Sequence, residues 1–202
     1  MTRTIVHLVR HGEVENPERV LYGRMPDYHL SARGRRMADR LGEHFAGHDL
    51  AAVVASSLDR AQETAAPIAA AHDTDVRTDD RLIEAGNHFE GSTIGSKPIG
   101  LLDPRRWHLL YNPLRPSWGE SYASIAARME EAVDAARVFA RGREIVLVSH
   151  QLCVWTARRH YEGSRLWHDP RHRECELASV TSLTYHGDSL TSVSYTEPCA
   201  DL

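Results

Sequence analysis

The chain has 202 residues, and its 24 lysines and arginines against 28 aspartates and glutamates give a formal net charge of −4 at pH 7. Hydrophobic residues make up 42% of the sequence and charged residues 26%, proportions typical of a globular protein that folds without disulfides or metals. This length predicts a single domain over residues 1–202, and the slightly acidic charge argues against a general nucleic-acid binder.

The apolar runs are too short to cross a membrane. The longest ones, at residues 5–9 and 145–148, fall far below the roughly 20 residues of a spanning helix. The N-terminal residues show no signal-peptide pattern, so we expect a cytoplasmic protein without a membrane partner. Cys153, Cys175 and Cys199 form no Cys-x-x-Cys pair and indicate reduced thiols, not a disulfide framework. The sequence gives no indication of an oligomeric state.

Short apolar segments alternate with amphipathic ones along the chain. Three β-branched runs predict strands buried on both faces, at residues 4–9, 51–55 and 144–149. Residues 180–185 and 190–195 are predicted to form a closing hairpin or edge strands. Apolar residues at helical spacing predict four helices, with Ser57 as the N-cap of the second, over residues 30–45, 58–71, 122–141 and 152–161.

Residues 86–118 differ in composition from the rest. They are rich in glycine, proline and aromatic residues, which predicts an irregular, cap-like excursion over one edge of the domain. Together these elements predict an α/β fold, a three-layer α/β/α sandwich with a mostly parallel central sheet and a small irregular cap. In such folds ligands bind beyond the carboxyl ends of the strands.

Histidines and arginines stand at these strand ends. The first predicted strand runs into Arg10 and His11, and the third runs into His150. The second leads into a helix with Arg60 in its first turn. Each of these residues alone is an ordinary loop or surface residue, but together they indicate a site. Two imidazoles and two guanidiniums with few adjacent acids suit a doubly charged oxyanion.

A metal site is the alternative use of these histidines. His44 and His48, like His168 and His172, are four residues apart, as helical metal ligands often are. Neither pair has a convincing third ligand in the sequence, and Pro170 interrupts the second pair. We therefore expect no metal and no cofactor.

An ordered series of motifs covers nearly the whole chain and resembles the histidine phosphatase superfamily, also called phosphoglycerate mutase-like, in its short bacterial-type phosphatase branch. An Arg-His-Gly triplet alone is weak evidence for this family, but the full series of motifs in this order is specific to it. Its members are Leu8-Val9-Arg10-His11-Gly12-Glu13, Asn16, Gly23-Arg24, Leu30-Ser31-x-x-Gly34, Ser56-Ser57-Leu58-Asp59-Arg60-Ala61-x-Glu63-Thr64-Ala65, Leu82-Ile83-Glu84, Phe89-Glu90-Gly91, Gly119-Glu120-Ser121 and Val148-Ser149-His150.

The resemblance implies a role for each matching residue. His11 corresponds to the nucleophile that becomes a phosphohistidine, and Glu84 to the usual proton donor. The rest of the phosphate pocket corresponds to Arg10, Arg60 and His150, with Asn16 as an additional donor. Gln151 departs from the family, where many relatives have glycine; its backbone N–H faces phosphate in this interpretation, while its side chain narrows the pocket.

Other acids compete with Glu84 for the role of proton donor. Glu13 is close to His11 in sequence, but we interpret it as a structural partner of the backbone or of an arginine. Glu90 and Glu120 are weaker candidates, which we expect to contact other site residues and not the substrate. The nearby cations Arg10 and Arg60 are expected to keep His11 neutral, and a backbone carbonyl bonded to its ring would fix the tautomer.

The implied activity is that of a metal-independent, histidine acid phosphatase-type phosphomonoesterase acting on a small phosphorylated substrate. Phosphoglycerate mutase-type phosphoryl transfer is the alternative, and a non-catalytic domain that binds a phosphorylated ligand is a weaker one. Hydrolysis is favoured because the excursion is modest where the family's mutases have a larger insertion. Two segments could line the mouth or be ordinary surface, namely Arg24 with Arg105-Arg106-Trp107-His108 and Trp118, and the loop of residues 167–173.

Overall fold

The computed structural model describes residues 2–92 and 119–202. Within them, six strands form one sheet in the order β3-β2-β4-β1-β5-β6. Strands β1 to β4 are parallel, and β5 and β6 are antiparallel to their neighbours. The strands are β1 (Arg3–Arg10), β2 (Leu50–Ala55), β3 (Val76–Thr78), β4 (Glu144–Ser149), β5 (Val180–His186) and β6 (Ser189–Thr196).

Helices cover both faces of the sheet, because alternate residues of the buried strands point to opposite sides. The helices are α1 (Ala32–Phe45), α2 (Asp59–Ala70), α3 (Tyr122–Phe139) and α4 (Gln151–Tyr161). Val9 and Val53 pack in one core with residues of α1 and α2. Leu8 and Leu147 pack in the other core with residues of α3 and α4. The predicted α/β fold with a mostly parallel sheet is confirmed.

The register of the two central strands places the candidate site. In the parallel pair β1 and β4, Arg10 is opposite Ser149. The next residue on each strand, His11 and His150, therefore leaves the sheet at the same edge. Strand β2 borders β4 on its other side, and the Ser56 N–H donates to the Val148 carbonyl at 3.0 Å. The segments after all three strands thus begin side by side.

Several predicted boundaries are confirmed and one cap is wrong. The β1, β2 and β4 strands and the β5–β6 hairpin form where predicted. The exposed Ser57 does not cap α2; Leu58 occupies the cap position without a side-chain hydrogen bond, and helix α2 begins at Asp59. The short strand β3 was not predicted. No helix among residues 2–92 and 119–202 is long and apolar enough to traverse a bilayer.

The predicted excursion is described only at its two ends. Asn87 pairs with Gly119 in an antiparallel bridge, and the Glu120 N–H donates to the Gly86 carbonyl at 2.9 Å. Residues 86–87 therefore lie beside residues 119–120. Most of the excursion, with Arg105, Arg106, Trp107, His108 and Trp118, lies outside the described residues.

Candidate active site

His11 is a buried imidazole with a defined tautomer. Its side chain is 3% exposed, and its Nδ1 donates to the Gly12 carbonyl at 2.7 Å. Nε2 is therefore left with its lone pair, as a nucleophile requires. Burial, followed by the charges of Arg10 and Arg60, lowers the pKa of His11 to about 3, although the Gly12 carbonyl opposes this shift. The expected neutral imidazole and the expected backbone partner are both present.

His150 lies against His11 and is fully buried. The two ring centroids are 5.2 Å apart, with the planes at 60°. Nε2 of His150 lies 2.9 Å from the Ser56 hydroxyl, whereas its buried Nδ1 has no hydrogen-bond partner in the described chain. Burial, and then the charges of His11 and Arg60, lowers the pKa of His150 well below its usual value. If the Ser56 hydroxyl donates to Nε2, Nδ1 carries the ring hydrogen and is a donor.

Two arginines complete what we call the histidine–arginine cluster, namely Arg10, His11, Arg60 and His150. Nη1 of Arg10 donates to the Cys175 carbonyl at 2.6 Å. Nη2 of Arg60, a side chain 1% exposed, donates to the Gly23 carbonyl at 2.5 Å. The buried Nε atoms of both arginines have no partner in the described chain. The backbone thus holds each guanidinium at one end and leaves donors for an anion.

Glu84 is a carboxylic acid beside this cluster. Its Oε1 accepts from the Ala85 N–H at 2.8 Å and lies 3.6 Å from the Cys153 thiol. Burial raises the pKa of Glu84, and the positive charges of Arg60 and Arg10 only partly oppose that shift. The carboxyl group therefore retains a proton more readily than an exposed glutamate does, as a general acid needs.

Two members of this cluster, Arg10 and His11, line one cavity together with Glu84. Its volume is about 350 Å³, which suits a small molecule and not a macromolecule. Described residues that line it include Arg10, His11, Asn16, Glu84, Gln151 and Arg173. The spatial convergence expected from the sequence is present, because the two histidine rings are in contact and both arginines lie close enough to affect the pKa values of the two histidines and of Glu84.

Three other predicted site residues are engaged in different ways. The side-chain amide of Asn16 bonds to both the backbone N–H and the carbonyl of Val20 at 2.9 Å. These two bonds stabilise the loop of residues 16–20, whose ends line the cavity. The Gln151 amide lies in the same wall and donates to the Cys175 carbonyl at 3.4 Å. Arg24 is not among the lining residues. Direct phosphate contacts from these three residues stay predictions.

Arg24 is instead part of a polar network behind Glu84. Its Nε donates to the Glu84 carbonyl at 2.6 Å, and its Nη2 to Glu120 at 3.0 Å. Glu120 also accepts from Arg128 at 2.8 Å, and Glu90 accepts from the Arg24 N–H at 3.0 Å. These bonds give Glu90 the supporting position expected of it, whereas Glu120 also lines the cavity.

Glu13 has the structural role that was expected. Its carboxylate accepts from the Ser31 hydroxyl at 2.7 Å and from Arg33 at 2.6 Å. These hydrogen bonds, the Ser31 bond foremost, lower the pKa of Glu13. A carboxylate stabilised in its charged form is a poor proton donor at neutral pH.

The backbone of the loop after His11 packs so closely against the start of α1 that there is no room for a side chain at Gly12 or Gly34. A Cβ on Gly12 would lie 2.8 Å from the Gly34 carbonyl oxygen, and one on Gly34 would overlap the Glu13 carbonyl. The Gly12 N–H also donates to the Thr64 hydroxyl at 3.0 Å. Both glycines of the sequence motifs are thus required for the backbone contact that fixes His11.

One histidine cluster was not expected from the sequence, and it joins His48 to residues other than His44. His7, His48 and Glu144 bring ligand-type atoms within 4.8 Å of one another. The Glu144 carboxylate accepts from His7 at 2.9 Å and from His48 at 2.6 Å. Glu144 begins β4, at the end of the strand opposite His150, so this cluster is separate from the histidine–arginine cluster.

Sequence reasoning missed several residues that hold the cluster in place. The Tyr22 ring lies under the Arg60 guanidinium, 4.7 Å from its centroid to Cζ, and the Ser56 hydroxyl contacts His150. Thr64 bonds to both the Arg60 carbonyl and the Gly12 N–H. Of these, Thr64 carries a usable signal, because it is four residues after Arg60 on the same helix face.

Comparisons with known proteins show the family of this chain. The model of the histidine phosphatase superfamily (branch 1) matches residues 6–198. The chain is 58% identical over 197 residues to the uncharacterised protein Rv0525 of Mycobacterium tuberculosis, which covers 98% of each chain. It is 33% identical to Probable phosphoglycerate mutase GpmB of Yersinia enterocolitica, over 74% of this chain and 70% of that one. The solved structure of mycobacterial glucosyl-3-phosphoglycerate phosphatase Rv2419c has a TM-score of 0.75 at 25% identity, and the match covers 91% of both chains.

Proposed function

Because the chain belongs to the histidine phosphatase superfamily, we propose that it hydrolyses small phosphomonoesters through a phosphohistidine on His11. The observation that carries this proposal is the contact between the buried imidazoles of His11 and His150 beside two arginines, at a point where His11 and Arg10 line a cavity with a protonatable acid, Glu84. Phosphoryl transfer has a loose transition state with its charge on the equatorial oxygens, so positioned cations do most of the catalysis.

The first step transfers the phosphoryl group to the protein. Nε2 of His11 attacks phosphorus while the bond from phosphorus to the alcohol oxygen breaks, and the electron pair of that bond goes to the oxygen. The Glu84 carboxyl group donates its proton to this oxygen, so a neutral alcohol leaves. Arg10 and Arg60 bind the three equatorial oxygens, and their forked donors suit phosphate better than lysine does.

The second step releases phosphate. Glu84, now a carboxylate, accepts a proton from water as the water oxygen attacks phosphorus, and the bond from phosphorus to His11 breaks. His11 regains a neutral ring with its Nδ1–H on the Gly12 carbonyl. A bound phosphate dianion favours protonation of His150, which then adds a charge-assisted donor.

The proposed chemistry needs no metal ion or cofactor. The charge that a metal would contribute comes from the two guanidiniums, and the nucleophile is a ring nitrogen and not a metal-activated water. Activity is expected to survive EDTA. A loss of activity in EDTA that zinc or magnesium restores would reject this part of the proposal.

Mutase-type phosphoryl transfer is the second candidate, and the likeness to Probable phosphoglycerate mutase GpmB favours it. The likeness to glucosyl-3-phosphoglycerate phosphatase favours hydrolysis. The same cluster serves both reactions; the difference is whether water reaches the phosphohistidine. A mutase requires a bisphosphate primer and returns an isomer, whereas a phosphatase releases inorganic phosphate without a primer.

One experiment tests the proposal and separates the candidates. The protein is mixed with a 32P-labelled phosphomonoester, quenched, and examined for label that is acid-labile and base-stable, while inorganic phosphate is measured in parallel. We expect labelled protein that His11→Ala lacks, together with phosphate release without a primer. Acid-stable label would reject the histidine, primer dependence would indicate a mutase, and binding without turnover would indicate a non-catalytic domain.

A further inference from the structure

Arg173 is a cation in the cavity wall that the proposed reaction does not use. It lines the same cavity as Arg10 and His11 and is half-buried. Two residues later, the Cys175 carbonyl accepts from Arg10 and from Gln151. The segment that carries Arg173 is therefore anchored directly to the histidine–arginine cluster.

His168 holds the Arg173 guanidinium in a fixed direction. Nε2 of His168 accepts from Nε of Arg173 at 2.8 Å, and Nδ1 of His168 donates to the Leu166 carbonyl at 2.8 Å. The imidazole is 8% exposed and packs against the rings of Tyr122 and Trp155, with centroids 5.2 Å and 5.8 Å away. Because the bond to His168 uses Nε, both terminal nitrogens of Arg173 remain as donors.

The acids next to Arg173 in the sequence are paired with other arginines. Asp169 accepts from Arg171 at 2.7 Å, and Glu174 accepts from Arg158 at 2.9 Å. Arg173 has no carboxylate within ion-pair distance among residues 2–92 and 119–202. A half-buried guanidinium that is held by a neutral ring and lacks a protein counter-charge is suited to bind an anionic group of a ligand.

We infer that Arg173 binds a second anionic group of the substrate, either a carboxylate or another phosphate, on the part of the substrate that is bonded to the leaving oxygen. This inference rests on the proposed function, because it names the class of phosphomonoester that the same cavity accepts. A cavity of about 350 Å³ accommodates a small metabolite with two charged ends. His168 is a positioning residue, since it orients the guanidinium and does not touch the substrate.

The test compares substrates that differ only in the second charge. The first pair is 3-phosphoglycerate and glycerol 3-phosphate, which probes a carboxylate. The second pair is fructose 1,6-bisphosphate and fructose 6-phosphate, which probes another phosphate. We expect the wild-type protein to prefer the doubly anionic member of at least one pair, and Arg173→Gln to reduce that preference about 10- to 100-fold in kcat/KM.

Two further variants control the experiment. Arg171→Gln removes an exposed arginine of the same loop that is paired with Asp169 and is not in the cavity wall, so the preference should not change. His168→Leu should raise KM for the doubly anionic substrate while leaving kcat and the singly charged partner nearly unaffected. If His168 had only a structural role, His168→Leu would change the kinetic constants for both substrates to the same extent.

Failure of this inference can be distinguished from failure of the proposed function. If the wild-type protein forms a phosphohistidine and hydrolyses p-nitrophenyl phosphate but shows no preference in either pair, Arg173 has no such role. A preference that persists in Arg173→Gln overturns the inference in the same way. Absence of any turnover by the wild-type protein would instead overturn the proposed function.

Discussion

The imidazole of His11 faces the imidazole of His150, with ring centroids 5.2 Å apart. Both rings are buried next to Arg10 and Arg60, and both have lowered pKa values. Two protonated imidazoles at this distance and beside two guanidiniums would repel one another strongly. The four groups are therefore compatible when both rings are neutral or when an anion lies among them, which is the property expected of a phosphate site.

The first prediction concerns the proposed nucleophile. His11→Ala should lower kcat for p-nitrophenyl phosphate by at least about 10⁴-fold, because the neighbouring imidazole, His150, has its Nε2 engaged with the Ser56 hydroxyl and does not line the cavity. The circular dichroism spectrum should be unchanged, since the variant removes a side chain at the cavity edge and leaves both cores intact. Retention of most of the activity by a folded His11→Ala protein would show that the nucleophile is another group.

The second prediction separates Glu84 from the other acids through the leaving group. Glu84→Gln should reduce kcat/KM for an alkyl phosphate by about 10²- to 10⁴-fold, because an alkoxide needs a proton as it leaves. The loss for p-nitrophenyl phosphate should be much smaller, since nitrophenolate leaves without protonation. Glu13→Gln is the matched control, because Glu13 is bound to Arg33 and Ser31. Equal losses for both substrates in Glu84→Gln would contradict the role of proton donor.

The raised pKa of Glu84 predicts how activity depends on pH. Glu84 must be protonated to donate, so activity toward an alkyl phosphate should fall as pH rises through the raised pKa of this carboxyl. His11 has a pKa of about 3 and stays neutral throughout this range, so it should cause no acid limb above about pH 4. The pH profile of kcat measures this, and Glu84→Gln should remove the alkaline limb.

Much of this site could be predicted from the sequence because it depends on strand ends. Residues 4–9 and 144–149 are mostly apolar and rich in β-branched residues, which favours buried parallel strands, and such strands align the residues that follow them. The pairing of Arg10 with Ser149 then brings His11 beside His150. Arg60 was predicted as a further member of the site because it follows the second strand and because the motif around it resembles that of the family.

The supporting contacts could not be predicted, because they join residues with no pattern in the sequence. The Cys175 carbonyl that holds Arg10 and the Tyr22 ring under Arg60 lie in irregular segments. Ser57 fits the pattern of an N-cap, but Leu58 has extended backbone and occupies the cap position, so α2 starts at Asp59, one residue later than predicted. Backbone geometry outweighed the capping preference there.

A third prediction addresses Gln151, which stands where many members of the family have glycine. Its side chain makes one long bond to the Cys175 carbonyl, at 3.4 Å, whereas Arg10 bonds to that carbonyl at 2.6 Å. Gln151→Ala keeps the backbone N–H and should reduce kcat/KM for p-nitrophenyl phosphate by no more than about threefold. Arg10→Gln should reduce it by about 10²- to 10³-fold, as for other lost oxyanion donors. Similar losses in both variants would assign the Gln151 side chain a direct part in catalysis.

The last prediction concerns stability at the opposite end of β4. The hydrogen bond from His7, with further contributions from His48, lowers the pKa of Glu144 to about 2, despite the opposing effect of burial. The unfolded chain binds a proton at about pH 4.5, so this contribution is fully present above that pH and is lost as pH falls toward 2. The full shift corresponds to about 3 kcal/mol, and solvent screening of this partly exposed carboxylate reduces its contribution below that value.

Glu144→Gln should therefore lower the free energy of unfolding by about 1–3 kcal/mol at pH 7, and the difference from wild type should shrink between pH 5 and pH 2. Urea denaturation followed by circular dichroism at several pH values measures this difference. Glu43→Gln is the control: its carboxylate is 75% exposed and pairs with Arg40 at 3.5 Å, so the change should stay within about 0.5 kcal/mol. A Glu144→Gln deficit of the same size at every pH would mean that packing, and not the charge on Glu144, stabilises this end of the sheet.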